Sequence, residues 1–78
     1  MIKTIVNTAD IYNKGRKLSN LMMTRIMELE SKIDTGAMTV EESRAYRNLC
    51  NERLKLNQAI YNSEYKKVEY MVENSPLN

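Results

Sequence analysis

Five carboxylates gather around one point of this chain, Glu28, Glu30 and Asp34 ahead of a glycine and Glu41 and Glu42 behind it. They are its densest set of groups able to pass protons. Paired carboxylates do acid–base work only where burial or a neighbour drives their pKa values apart. Here they ring what reads as an exposed turn, so they are expected to be solvated. The single thiol, Cys50, falls on an apolar helical arc and reads as a small core residue rather than a nucleophile. The sequence contains no His, so Cys–His and Ser–His pairs and ordinary metal sites cannot be assembled within one chain. Phosphate loops need several clustered glycines, and Gly15 and Gly36 stand far apart. No catalytic residue, cofactor or metal site is expected, and the protein reads as non-enzymatic.

The elements that position these groups are announced by the same turn. Gly36 can take the left-handed conformation that closes a helix, and Thr39 with Glu42 three residues later has the spacing of a capping box. One helix therefore ends and another begins with almost nothing between them. The segment Leu29 to Leu49, with Gly36-Ala37-Met38-Thr39-Val40-Glu41-Glu42 at its centre, resembles the turn of many small bacterial and phage helical hairpins. It is a capping pattern common to unrelated proteins and carries no functional residue.

Apolar residues on both sides follow the helical period. In a first helix, placed at about 8–34 with Asn7 or Thr8 as its cap, Ile11, Leu18, Met22, Ile26, Leu29 and Ile33 share a face with Gly15, flanked by Leu21. A second, at about 40–73, carries a broad arc of Tyr46, Leu49, Cys50, Leu54, Leu56, Ile60, Tyr61, Tyr65, Val68, Met71 and Val72. Asn74-Ser75-Pro76 ends it, leaving 74–78 as a tail and 1–7, with Ile2, Ile5 and Val6, as an N-terminal arm. The predicted fold is all-α, an antiparallel two-helix hairpin over 8–73.

A short loop fixes the pairing: partners across the hairpin have residue numbers summing to roughly 75. Ile26 then meets Leu49, Leu29 meets Tyr46 and Gly15 meets Ile60, while Val68, Met71 and Val72 overhang without a partner. Two helices of a 78-residue chain bury one stripe each, so the overhang predicts a homodimer or larger bundle. Arg53, Asn57 and Glu64 interrupt the apolar arc, with Arg25 on the flank of the first helix. They either lie at the edge of the seam or fix register and oligomer state.

Two surfaces stand out as candidate binding sites. Met23 and Met27, with Tyr65, Val68, Met71 and Val72, form a soft apolar set suited to a protein partner. Lys14, Arg16, Lys17, Lys66 and Lys67, with Tyr12 and Tyr61, give the open end of the hairpin a basic, aromatic character that suits nucleic acid. Net charge is only +2, from 12 basic and 10 acidic residues, which is weak provision for a polyanion. The leading expectation is a protein-interaction module, an accessory regulator of phage or mobile-element type acting on a host or phage protein. Nucleic-acid binding is the alternative. No stretch is long and apolar enough for a membrane span, and the lone Cys50 and the N-terminal sequence suit the cytoplasm.

Overall fold

The computed structural model describes the backbone of residues 2–75 and of Leu77, with side chains from Thr8 onward. Three helices follow one another: α1 (Ile2–Thr35), α2 (Val40–Tyr61) and α3 (Tyr65–Glu73), with no strand among the described residues. The all-helical expectation holds, but the number and bounds of the helices differ. Helix α1 begins at Ile2, so Asn7 and Thr8 lie within it and do not cap it. Residues 2–7 contain neither Gly nor Pro, and each residue added to an existing helix gains a backbone bond for one conformation fixed. The side chains of Ile2, Ile5 and Val6 lie outside the described residues. At about 1.5 Å per residue, α1 spans roughly 51 Å, which accounts for the 52 Å long axis of the molecule.

The first turn forms as its residues dictate. Gly36 sits at φ 69°, in the left-handed region. The Gly36 N–H donates to the Ile33 carbonyl and the Ala37 N–H to the Lys32 carbonyl, the paired bonds that close a helix C-terminus. Three residues later the Glu42 N–H donates to Thr39 Oγ1, while the Thr39 N–H donates to Glu42 Oε1. Lys32, in the last turn of α1, forms an ion pair with Glu42 and ties the two helix ends together.

The second helix does not run on to residue 73. It stops at Tyr61, and the closing motif of the first turn is repeated with serine in the glycine position. Ser63 stands at φ 57°; its N–H donates to the Ile60 carbonyl and the Glu64 N–H to the Ala59 carbonyl. Glu64 interrupts the apolar pattern because it lies at the start of α3, exposed, rather than inside a helical stripe. The consequence is a change of register. Gly15 and Ile60 conform to the sum of 75, whereas Gly15 also meets Val68, a sum of 83. The break thus draws α3 in toward the middle of α1 by about two helical turns.

That shift fills the core. Leu18, Met22, Ile26, Leu29, Leu49, Leu56, Ala59 and Val68 are buried together, with Ile11, Tyr46, Cys50, Ile60, Met71 and Val72 half-buried against them. Leu29, Leu56 and Val68 are fully enclosed, each contributing about 1.5–3 kcal/mol by burial. Val68, Met71 and Val72 therefore do not overhang; the apolar end that pointed to a second copy is covered by the chain's own α1. Ile33, Leu54 and Tyr61, expected on the apolar faces, are exposed. The third helix packs on the Leu56–Ala59 side of α2, leaving the Leu54–Tyr61 side open. Pro76 lies outside the described residues; α3 ends at Glu73, with the Asn74 amide donating to the Tyr70 carbonyl.

Candidate functional site

Helix α3 covers only one side of the α1–α2 pair. On α1, Asp10, Ile11 and Lys14 line a hollow with Glu69, Val72 and Glu73 of α3, and Gly15 faces Val68. Nearly half a turn around the same helix, Tyr12, Arg16, Ser19 and Asn20 line an open groove, which Arg53, Asn57, Ile60 and Tyr61 of α2 complete. The groove has a volume of about 530 Å³. Farther along α1, Met23 and Met27 continue the helical stripe of Tyr12, Arg16 and Asn20, since i, i+3 and i+4 positions share a face. Met27 is exposed and Met23 half-buried.

The floor of the groove is a polar cluster between the helices. Ser19 is only 4% exposed; its hydroxyl donates to Asn57 Oδ1 at 2.7 Å. Its carbonyl accepts from Arg53 Nε at 3.2 Å. Buried polar groups are stable only when so paired, and no buried side-chain polar atom among the described residues lacks a partner. Arg53 and Asn57 of α2 are thus both bonded to α1 through Ser19 of the same chain. Ser19 carried no warning in the sequence beyond standing one residue after Leu18 on the seam side. Arg25 does not join this cluster; it pairs with Glu28 at 3.7 Å near the surface.

The formal charge lining the groove is positive, carried by Arg16 and Arg53. No acidic side chain lines it. Arg16 lies over the Tyr12 ring, 6.0 Å from guanidinium carbon to ring centre, a contact worth about 0.5–1 kcal/mol at an exposed site. Neither Arg16 nor Arg53 forms an ion pair among the described residues, whereas Lys14, Arg25 and Lys32 each hold a carboxylate. With Arg53 Nε and Asn57 Oδ1 engaged at the floor, the Nη groups of Arg53 and the amide N–H groups of Asn57 remain for a ligand.

The other residues singled out by sequence fall elsewhere. Val68 is fully buried and cannot touch a partner, while Tyr65, Met71 and Val72 are half-buried on α3, away from Met23 and Met27. The two halves of the apolar set therefore do not form one patch. Of the basic set, Tyr12, Arg16 and Tyr61 converge on the groove. Lys14 pairs with Asp10 at 3.0 Å on the α3 side, Lys17 is exposed, and Lys66 and Lys67 are exposed on α3.

At the turn end the carboxylates are held by structural contacts. Glu30 accepts from the Tyr46 hydroxyl at 2.9 Å, and that bond, followed by burial, pushes the tyrosine up to about 12. Glu42 is held below the usual carboxylate range, chiefly by its bond to Lys32 and then by the Thr39 N–H. Cys50 is half-buried. Among the described residues no cluster of His, Cys, Asp and Glu could hold a metal ion, and no helix is long and apolar enough to cross a membrane. Comparison of the chain with protein-family models, with curated proteins and with solved structures finds no match.

Proposed function

We propose that this protein is a non-enzymatic protein-interaction module whose partner docks on the side of the α1–α2 pair that α3 leaves open. The observation that carries this reading is the composition of that side. Tyr12, Arg16, Arg53 and Tyr61 line the groove and Met23 and Met27 extend it, and Tyr, Arg and Met are the side chains enriched where proteins bind one another. The binding set differs from the one the sequence suggested: Met23 and Met27 stay, while Tyr65, Val68, Met71 and Val72 of α3 give way to Tyr12, Arg16, Arg53 and Tyr61. A role as a small accessory regulator, of the kind phages and mobile elements encode, fits a module with one binding face.

Affinity capture from a bacterial lysate tests the reading when wild type is compared with Met23→Gln/Met27→Gln and with a Tyr70→Gln control on exposed α3. A partner lost with the methionine pair and retained with the control is the expected result; equal recovery by all three would remove the assignment.

A second reading, nucleic-acid binding, is favoured by one observation, the convergence of Tyr12, Arg16 and Tyr61. Single-stranded nucleic acid uses such stacking residues together with a basic track. Here the track ends in Glu28, Glu30 and Asp34 at the far end of α1. Oligonucleotide binding that weakens steeply with salt and disappears in Lys14→Ala/Arg16→Ala/Lys17→Ala would establish it.

A further inference from the structure

The groove does more than offer contact area; its chemistry selects what enters. We infer that it receives an acidic segment of the protein partner, with one carboxylate on Arg16 and a second on Arg53, followed by apolar side chains on Met23 and Met27. This rests on the protein-interaction reading above and specifies the partner.

Four observations lead here. The groove holds two guanidinium groups and no acid. Neither guanidinium forms an ion pair among the described residues, so no described carboxylate occupies them. Both are also positioned in advance: Arg16 rests against Tyr12, and Arg53 is anchored through Nε to the Ser19 carbonyl. Pre-positioning lowers the side-chain entropy lost on binding, and it leaves the Nη edge of Arg53, the edge suited to a carboxylate oxygen pair. Finally, Asn57 Oδ1 accepts from Ser19, so the floor amide is held with its N–H groups available to a ligand as donors beside Arg53.

A peptide suits this site better than a polyanion. Met27 lies about 16 Å along the helix from Arg16 at 1.5 Å per residue. Over that distance the face changes from basic to apolar, and about one turn farther on stands the Glu30–Tyr46 pair at 2.9 Å. A chain of phosphates running along it would leave the arginines and approach carboxylates. A segment that is acidic at one end and apolar at the other matches it throughout.

Selection of a random linear peptide display library against the immobilised full chain tests the inference. Enriched peptides are expected to pair Asp or Glu with nearby apolar residues. A synthetic peptide from that set should bind about tenfold more weakly to Arg16→Gln, in keeping with loss of one charge-assisted contact. Arg53→Gln should show the same loss, and replacing the peptide's acids with amides should abolish binding. Arg16 is exposed and outside the core, so its variant separates binding from folding, which circular dichroism verifies. Neutral apolar peptides that lose binding with Met23→Gln/Met27→Gln but not with the arginine variants would overturn acidic recognition and leave the docking face standing. Recovery of no peptide would overturn both. A short oligonucleotide binding more tightly than any peptide would replace the inference with the nucleic-acid reading.

Discussion

Gly15 is the residue on which the packing turns. A Cβ built there would lie 2.7 Å from Val68 Cγ1 and 3.2 Å from Ile60 Cδ1, so all three helices meet where this side chain is missing. Val68 is β-branched and fully enclosed, and its methyl has no room to withdraw. In an exposed helix, Gly→Ala gains about 1 kcal/mol. Here Gly15→Ala should lose about 1–3 kcal/mol through overpacking, read from the urea midpoint at unchanged m-value. At the turn, Glu42 has a folded pKa below its ordinary value of 4.5. Its contribution to stability is complete above that value and is lost as pH falls through the lower, folded pKa. Stability measured against pH should therefore decline on acidification below about 4.5, and Glu42→Gln should decline less steeply over that interval.

At the scale of the element, the turn at 36–39 and the break at 62–64 teach different lessons. Gly36, Thr39 and Glu42 have side chains or a conformational freedom suited to one local role, so their bonds could be read from spacing alone. The pairing sum of 75 followed from the short loop, and Gly15 does meet Ile60. The break was hidden because its closing residue is Ser63, which adopts the left-handed conformation without glycine's freedom to do so. Only Glu64, charged in the middle of an apolar arc, marked the place. Ala59 and Ser19, both buried, were missed for a related reason: their burial depends on where α3 and the floor of the groove lie, and periodicity within one helix does not carry that information. Ser63→Gly distinguishes the two architectures by sign. With Ser63 at φ 57°, glycine should add about 1 kcal/mol, raising the melting temperature by roughly 4–8 °C in a chain of this size. A continuous helix through residue 63 would instead lose roughly 0.5 kcal/mol.

For the whole molecule, the central consequence is asymmetry between two faces. One side of the α1–α2 pair is closed by α3, which buries Val68 and half-buries Met71 and Val72. The other retains Tyr12, Arg16, Arg53 and Tyr61 around a groove, with Met23 and Met27 beyond it. This asymmetry is what the sequence could not display. Met23 and Met27 lie on the open side of α1, whereas Met71 lies on α3, half-buried against the core. The methionine methyl groups report on each side separately. Methyl NMR spectra of the full chain, titrated with a peptide selected against it, should show the Met23 and Met27 resonances moving with peptide concentration while Met71 stays in place. Movement of Met71 with Met23 and Met27 unchanged would put the partner on α3 and contradict the account.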